Sequence, residues 1–234
     1  GYVHTGSEDY GYYNNVAFVP DGTLGLIADP NTVRVIAFDP RRYNDNIEAT
    51  VNLPTGAETG GIYITPDGTH ACVLQFDPAM QQTSLSRVVI IRLSDYNTIT
   101  YTPPVNTLFH QHCNIAFTPN SQYGMVCNNL LNANQLHIFK VRTDLNPGSL
   151  HQATLPVGAG PVRTYVSPDG TRAFVLCTGE TNSDKITVVR TSNLSVETTF
   201  TLPDSRFDTY GSSGICLNNI AFTPDGQWGF IGDP

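Results

Sequence analysis

The sequence predicts an all-β protein built from repeated four-stranded antiparallel units, and three observations carry that prediction. One phrase returns five times: Val16-Ala17-Phe18-Val19-Pro20-Asp21-Gly22, Ile62-Tyr63-Ile64-Thr65-Pro66-Asp67-Gly68, Ile115-Ala116-Phe117-Thr118-Pro119-Asn120-Ser121, Thr164-Tyr165-Val166-Ser167-Pro168-Asp169-Gly170 and Ile220-Ala221-Phe222-Thr223-Pro224-Asp225-Gly226. Its prolines are separated by 46, 53, 49 and 56 residues, a period of repeat architectures rather than of isolated turns. The composition, with 20 Gly and 16 Pro, suits many short strands joined by turns, and no stretch shows the 3.6-residue apolar periodicity of a helix.

Each element of the unit has its own justification. The β-branched and aromatic run that opens the phrase is the first strand. Pro-Asp-Gly closes it as a turn, because Pro fixes φ, Asp bonds its own backbone and Gly accepts positive φ. Second strands follow at 24–28, 70–74, 123–127, 172–176 and 228–232. Third strands follow at 32–38, 87–93, 135–141 and 185–190, and more polar fourth strands at 47–53, 98–102, 149–155 and 196–202. Four antiparallel strands in about 50 residues make one blade of a β-propeller. The chain is read as a single propeller domain over 1–234, whole or partial, of about four and a half to five blades. Its repeats begin near 15, 61, 114, 163 and 219. The first strand of each blade should line the central channel, and the fourth should form the outer edge.

The 234 residues carry 12 Lys and Arg against 20 Asp and Glu, a net charge of −8, so the basic stripe that binds nucleic acid is absent. No apolar run reaches the length of a membrane-spanning helix. Five cysteines follow no CxxC spacing, which excludes an encoded zinc knuckle or redox pair. Cys113 and Cys127 stand at the loop ends of one expected hairpin, where a disulfide or two free thiols are both open. Few lysines, many Asn, Thr and Gly, and the sequon Asn193-Leu194-Ser195 point to an extracellular, cell-surface or periplasmic setting.

The Pro-Asp-Gly hairpins followed by Ala71-Cys72-Val73, Ala173-Phe174-Val175 or Gly229-Phe230-Ile231, and then by strands such as Lys185-Ile186-Thr187-Val188-Val189, resemble YVTN-type propeller repeats. The resemblance covers nearly the whole chain. It implies kinship with surface-layer propellers and with seven-bladed lactonase-like propellers. The Trp-Asp dipeptide of another large propeller family is missing. The fifth repeat reaches Asp233-Pro234, the counterpart of Asp29-Pro30, where a third strand would begin. Three expectations follow: a fragment of a larger propeller, a ring closed imperfectly through residues 1–5, or an arc that pairs its edges with another chain. The fragment or the assembling arc is favoured, since exposed strand edges are normally removed.

Loops leading into the first strands and loops between second and third strands should gather on one face, the expected binding surface. They bring Tyr12 and Tyr13, Glu58, His110 and His112, and Arg163 together. The residues that start the inner strands are Asn15, Gly61, Asn114, Arg163 and Asn219. Three amides beside a carboxylate suit Ca²⁺, with Asn15, Glu58, Asn114 and Asn219 as candidate ligands; equally, Asn side chains satisfy backbone groups where a strand begins. His110-Gln111-His112-Cys113 offers borderline metal ligands or plain loop histidines.

The function expected is a non-catalytic ligand- or protein-binding and surface-assembly module, with a protein or glycan partner on that face. Tyr12, Tyr13, Asn15, Asn114, Arg163 and Asn219 would provide the contacts, and edge strands would provide homo-oligomerisation. The alternative, implied by the resemblance to lactonases, is a hydrolase. There Arg163 would polarise a carbonyl while His110, His112 or Glu58 activates water.

Overall fold

The computed structural model describes residues 15–29, 31–37, 47–77, 79, 83–104, 106–109, 113–130, 133–178, 183–203 and 220–231. The first blade is β1 (Val16–Phe18), β2 (Leu24–Ala28), β3 (Thr32–Ala37) and β4 (Ile47–Asn52). The second is β5 (Glu58–Ile64), β6 (His70–Phe76), β7 (Arg87–Arg92) and β8 (Thr98–Tyr101). The third is β9 (Ile115–Phe117), β10 (Tyr123–Asn128), β11 (Gln135–Lys140) and β12 (His151–Pro156). The fourth is β13 (Pro161–Val166), β14 (Arg172–Cys177), β15 (Ser183–Arg190) and β16 (Ser195–Pro203). Each of the four sheets runs in chain order, first strand to fourth, with antiparallel pairing throughout. A fifth sheet holds β17 (Ile220–Phe222) and β18 (Gly229–Ile231). This is the blade arrangement expected of the repeats.

Several boundaries differ from expectation by one or two residues, among them the starts of the fourth strand of the third blade and of the second strand of the fifth. The fourth strand of the third blade begins at His151 because Pro147–Ser149 forms a 3-10 turn, where Pro fits the first position. Trp228 precedes β18, which opens at Gly229.

The chain divides into two compact units, Gly1–Gln111 with Val141–Leu150, and His112–Lys140 with His151–Pro234. In the first unit, Leu26, Val33, Val35, Ile62, Val73 and Ile91 form one buried cluster. In the second, Leu176, Ile186, Val188 and Ile220 form another, and the Phe174 and Phe222 rings lie 5.3 Å apart. The centre of the second blade reads Ala71-Cys72-Val73-Leu74 against Val88-Val89-Ile90-Ile91, all buried on both faces of the sheet. Each buried Val, Ile or Leu side chain contributes about 1.5–3 kcal/mol. By contrast, outer strand β12 alternates half-buried and exposed residues.

The repeated turn is held by one relay. In the last four copies the hydroxyl of Thr65, Thr118, Ser167 or Thr223 donates to the Asp or Asn two residues on, and accepts from the backbone N–H five residues on. In all five, that Asp or Asn Oδ1 also takes the N–H two residues further, at Thr23, Thr69, Gln122, Thr171 and Gln227. The final turn residue lies at positive φ: Gly22, Gly68, Gly170, Gly226, and Ser121 in the third copy. A Cβ at Gly170 would overlap the Pro119 ring, so neighbouring turns meet there.

The cysteine question is also settled for four residues. Cys72, Cys113, Cys127 and Cys177 are buried thiols outside any disulfide, and Cys113 Sγ contacts the Cys127 carbonyl at 3.7 Å. The inner strands differ in burial: in β1 Val16 and Phe18 are 43% and 58% exposed, whereas in the third blade Ile115 and Ala116 are buried. Among the described residues no helix is long and apolar enough to cross a membrane.

Gly22 and Gly170 share the same φ but not the same surroundings, since nothing lies within 4 Å of a Cβ at Gly22. Gly22→Ala should therefore cost about 1 kcal/mol, from φ alone. Gly170→Ala should cost about 3 kcal/mol, because the backbone must also move away from Pro119. Urea unfolding midpoints of the two variants measure the difference.

Candidate functional site

The inner strands begin with residues that the repeat places at equivalent positions, and the structure gives each a different task. Asn114 precedes β9. Its Nδ2 donates to the Thr164 carbonyl at 2.8 Å and its Oδ1 accepts from the Thr164 N–H at 2.9 Å, so the amide stands in for a strand partner of β13. Thr164 is further tied by its hydroxyl, 3.4 Å from the Cys127 thiol. Burial pushes the Cys127 thiol far up, so it stays protonated and acts as a packing group. The bridge that Asn114 makes is not repeated at Asn15. There the backbone carbonyl accepts from the Ala28 N–H at 2.8 Å, while the buried Oδ1 finds no hydrogen-bond partner among the described residues.

Gly61 and Arg163 occupy the same repeat position on β5 and β13, and both strands shift register just before it, between Thr59 and Gly61 and between Pro161 and Arg163. Such a bulge re-aims the side chains that follow. At Gly61 a side chain is disfavoured by the positive φ of 152°, and the Tyr63 hydroxyl, 2.8 Å from where a Cβ would sit, would have to shift. Arg163 is half-buried opposite Leu176, and Glu58 is half-buried opposite Phe76. Asn15 and Glu58 belong to the first unit, Asn114 and Arg163 to the second. Tyr12, Tyr13, His110, His112 and Asn219 lie outside the described residues. Among the described residues no three His, Cys, Asp or Glu side chains group as a metal site.

Two polar clusters escaped the sequence reading. On the third blade, Thr154 Oγ1 lies 3.1 Å from His137 Nδ1 and 3.2 Å from His151 Nε2, and the two rings are 6.0 Å apart. Burial, with His151 beside it, pulls His137 down to about 4. On the second blade, Asp67, Thr69 and His70 form a chain at the hairpin tip, with Thr69 Oγ1 2.8 Å from both Asp67 Oδ1 and His70 Nδ1. The signal was available for the second. The residue after each turn is Leu24, His70, Tyr123, Arg172 or Trp228, and a position that varies on a fixed scaffold is where specificity sits.

No family profile and no curated protein matches the chain. Solved structures do. Hydrazine synthase of Kuenenia stuttgartiensis aligns over 98% of this chain and 58% of its own, at 15% identity and TM-score 0.64. A functionally unknown protein from Desulfotomaculum acetoxidans aligns over 92% and 61%, at 17% identity and TM-score 0.63. A candidate 6-phosphogluconolactonase from Bacteroides fragilis aligns over 81% and 55%, at 21% identity and TM-score 0.56. The chain thus spans about three fifths of the length of the structures it matches. At these identities the likeness is one of fold, and the fold is a β-propeller of four-stranded antiparallel blades.

Two outcomes follow from this geometry. Asn114→Ala leaves a peptide group of β13 unmet and should cost about 2 kcal/mol in chemical unfolding; an unchanged midpoint would assign the amide to a ligand instead. His137 is neutral when folded and ionises near pH 6.5 when unfolded, so the unfolded chain binds the extra proton between about pH 6.5 and 4. Its contribution is complete above pH 6.5 and is lost as pH falls through that window, by up to about 3 kcal/mol. His137→Gln should flatten that part of the stability–pH curve, and melting temperatures across the window test it.

Proposed function

We propose that this chain is a non-catalytic binding and surface-assembly module of an extracytoplasmic protein, built from propeller repeats of YVTN type. The supporting observation is the β17–β18 sheet. Among the described residues β18 is paired along one edge, and beside it Trp228 and Phe230 are 67% and 62% exposed. A groove of about 350 Å³ adjoins it, lined by Phe174, Ile186, Phe200, Phe222 and Ile231. An incoming strand would gain main-chain hydrogen bonds from the edge and apolar contacts from the groove. The occupant we propose is a second copy of this chain. Val16 and Phe18 of β1 give each copy another exposed apolar face, so head-to-tail contact has both of its halves. The face of leading-in loops, with Tyr12, Tyr13, Asn15, Asn114, Arg163 and Asn219, is the proposed contact for a protein or glycan partner.

A second reading is a lactonase-type hydrolase, favoured by the candidate 6-phosphogluconolactonases among the similar folds. Arg163 would polarise the carbonyl, and His110, His112 or Glu58 would activate water. A divalent cation such as Ca²⁺ would draw on Asn15, whose buried Oδ1 is a hard oxygen donor. Under this reading Arg163→Ala or His112→Ala abolishes turnover of a lactone panel with the fold intact; absence of turnover in the unaltered chain removes it.

Light scattering tests the assembly reading. The chain is expected at a discrete multiple of 25.5 kDa, and Phe230→Asp should return it to a single copy with unchanged circular dichroism. A wild-type species that stays at one copy as concentration rises would overturn it.

A further inference from the structure

The hairpin tips of the first two blades enclose a second feature, at the opposite end of the strands from the leading-in loops. A groove of about 580 Å³ is lined by Pro20, Asp21, Leu24, His70, Arg92 and Leu93, with Thr23, Asp67 and Thr69 beside them. The whole of it lies in the first unit.

The hydrogen bonds fix the chemistry of His70. A carboxylate only accepts, so the single hydroxyl hydrogen of Thr69 goes to Asp67 Oδ1 at 2.8 Å. The Thr69 oxygen must then accept from His70, 2.8 Å away, which places the ring hydrogen on Nδ1. Nε2 is left with its lone pair and takes no partner among the described residues. Asp67 is itself anchored by Thr65 Oγ1 at 2.6 Å and the Thr69 N–H at 3.0 Å, so the chain rests on the turn that every repeat shares. Partial burial lowers the His70 pKa, against the opposing pull of Asp67, and keeps the ring neutral. Of the five repeats this one alone carries an imidazole after the turn.

The rest of the lining selects the ligand. Arg92 is the one cation among the lining residues, and Asp95 takes its guanidinium in a fork, with Nε 2.8 Å from Oδ1. Asp21 and Asp67 add negative charge, so an anion is repelled. The accepting groups, His70 Nε2, the Thr23 oxygen and the Asp21 carboxylate, call for a partner that donates from hydroxyls. The Pro20, Leu24 and Leu93 walls call for one with C–H faces. We propose that this groove binds a neutral saccharide, with His70 Nε2 accepting a sugar hydroxyl and the Asp67–Thr69 pair holding the imidazole in the accepting tautomer.

The test is nitrogen-15 NMR of the histidine ring in the full chain, first alone and then with cellohexaose, maltohexaose or chitohexaose at up to about 10 mM. The Nδ1–H tautomer is expected, and one of the sugars should move the His70 Nε2 signal. Thr69→Val keeps the backbone bond to Asp67 but frees the tautomer, and should weaken that binding at least about five-fold. Thr171→Val, in the equivalent turn of the fourth blade, outside the groove and without an imidazole, serves as the control for a purely structural effect. An Nε2–H tautomer would overturn the proposal. So would silence of His70 towards all three sugars, a response confined to spermidine or inorganic phosphate, or equal weakening by both valine variants.

Discussion

Four of the five described hairpins are hung from a hydroxyl that donates to an Asp or Asn side chain and accepts from a peptide at the same tip. The Ser167–Asp169–Arg172 turn shows why it matters: the hydroxyl ties the start of the turn to the second strand, and Asp169 ties the middle to Thr171. These bonds hold the Asp169 carboxyl below its ordinary range, the Ser167 hydroxyl contributing most; the Thr223 hydroxyl does the same for Asp225. With the first hairpin fixed, the third and fourth strands add by antiparallel pairing, and register follows from the alternation of buried and exposed residues. The third copy keeps the relay with Asn120 for Asp and Ser121 for Gly, so the geometry outlives both the charge and the glycine.

A scaffold held in this way can vary its chemistry at one position without disturbing the strands. After the second turn stands His70, drawn into the relay through Thr69. After the fourth stands Arg172, which reaches both oxygens of Glu197 on β16 instead, with Arg190 bonding Oε1 of the same carboxylate. Glu197 is the residue skipped by the register shift opposite Val188 and Val189, so the bulge presents it to both arginines. Those hydrogen bonds, Arg172 foremost, pull its carboxyl down to about 2. Both arginines are about half exposed, so the pair contributes little to stability and defines surface chemistry instead.

At the other end of the strands, repetition of a residue type hides a division of labour. Asn15 and Asn114 begin equivalent strands, yet one amide bridges the backbone of β13 and the other leaves a buried oxygen without a donor among the described residues. Glycine and arginine, at positions 61 and 163, follow matching bulges in different surroundings, the first at a positive φ with the Tyr63 hydroxyl beside it. The internal repeat therefore positions this end of each blade, while the neighbours of each residue assign its role.

From the sequence alone came the blade plan: five Pro-Asp-Gly or Pro-Asn-Ser turns, the order of four strands around the first four of them, and the apolar middle strands such as Ala71–Leu74. These depend on local turn chemistry and on short continuous apolar runs, both written into short stretches of chain. The start of β12 was misplaced by two residues because a 3-10 turn at Pro147 competes with a strand on equal local terms. The sites were less legible. Asn114 bonds Thr164 across 50 positions, Thr154 stands between His137 and His151 through strand pairing, and Cys113 meets the Cys127 carbonyl rather than its sulfur. Composition and spacing identify which groups can make such bonds, but a hydrogen bond is decided within a few tenths of an ångström and by angle. Strand pairing within a blade and the packing of one blade on the next set those distances.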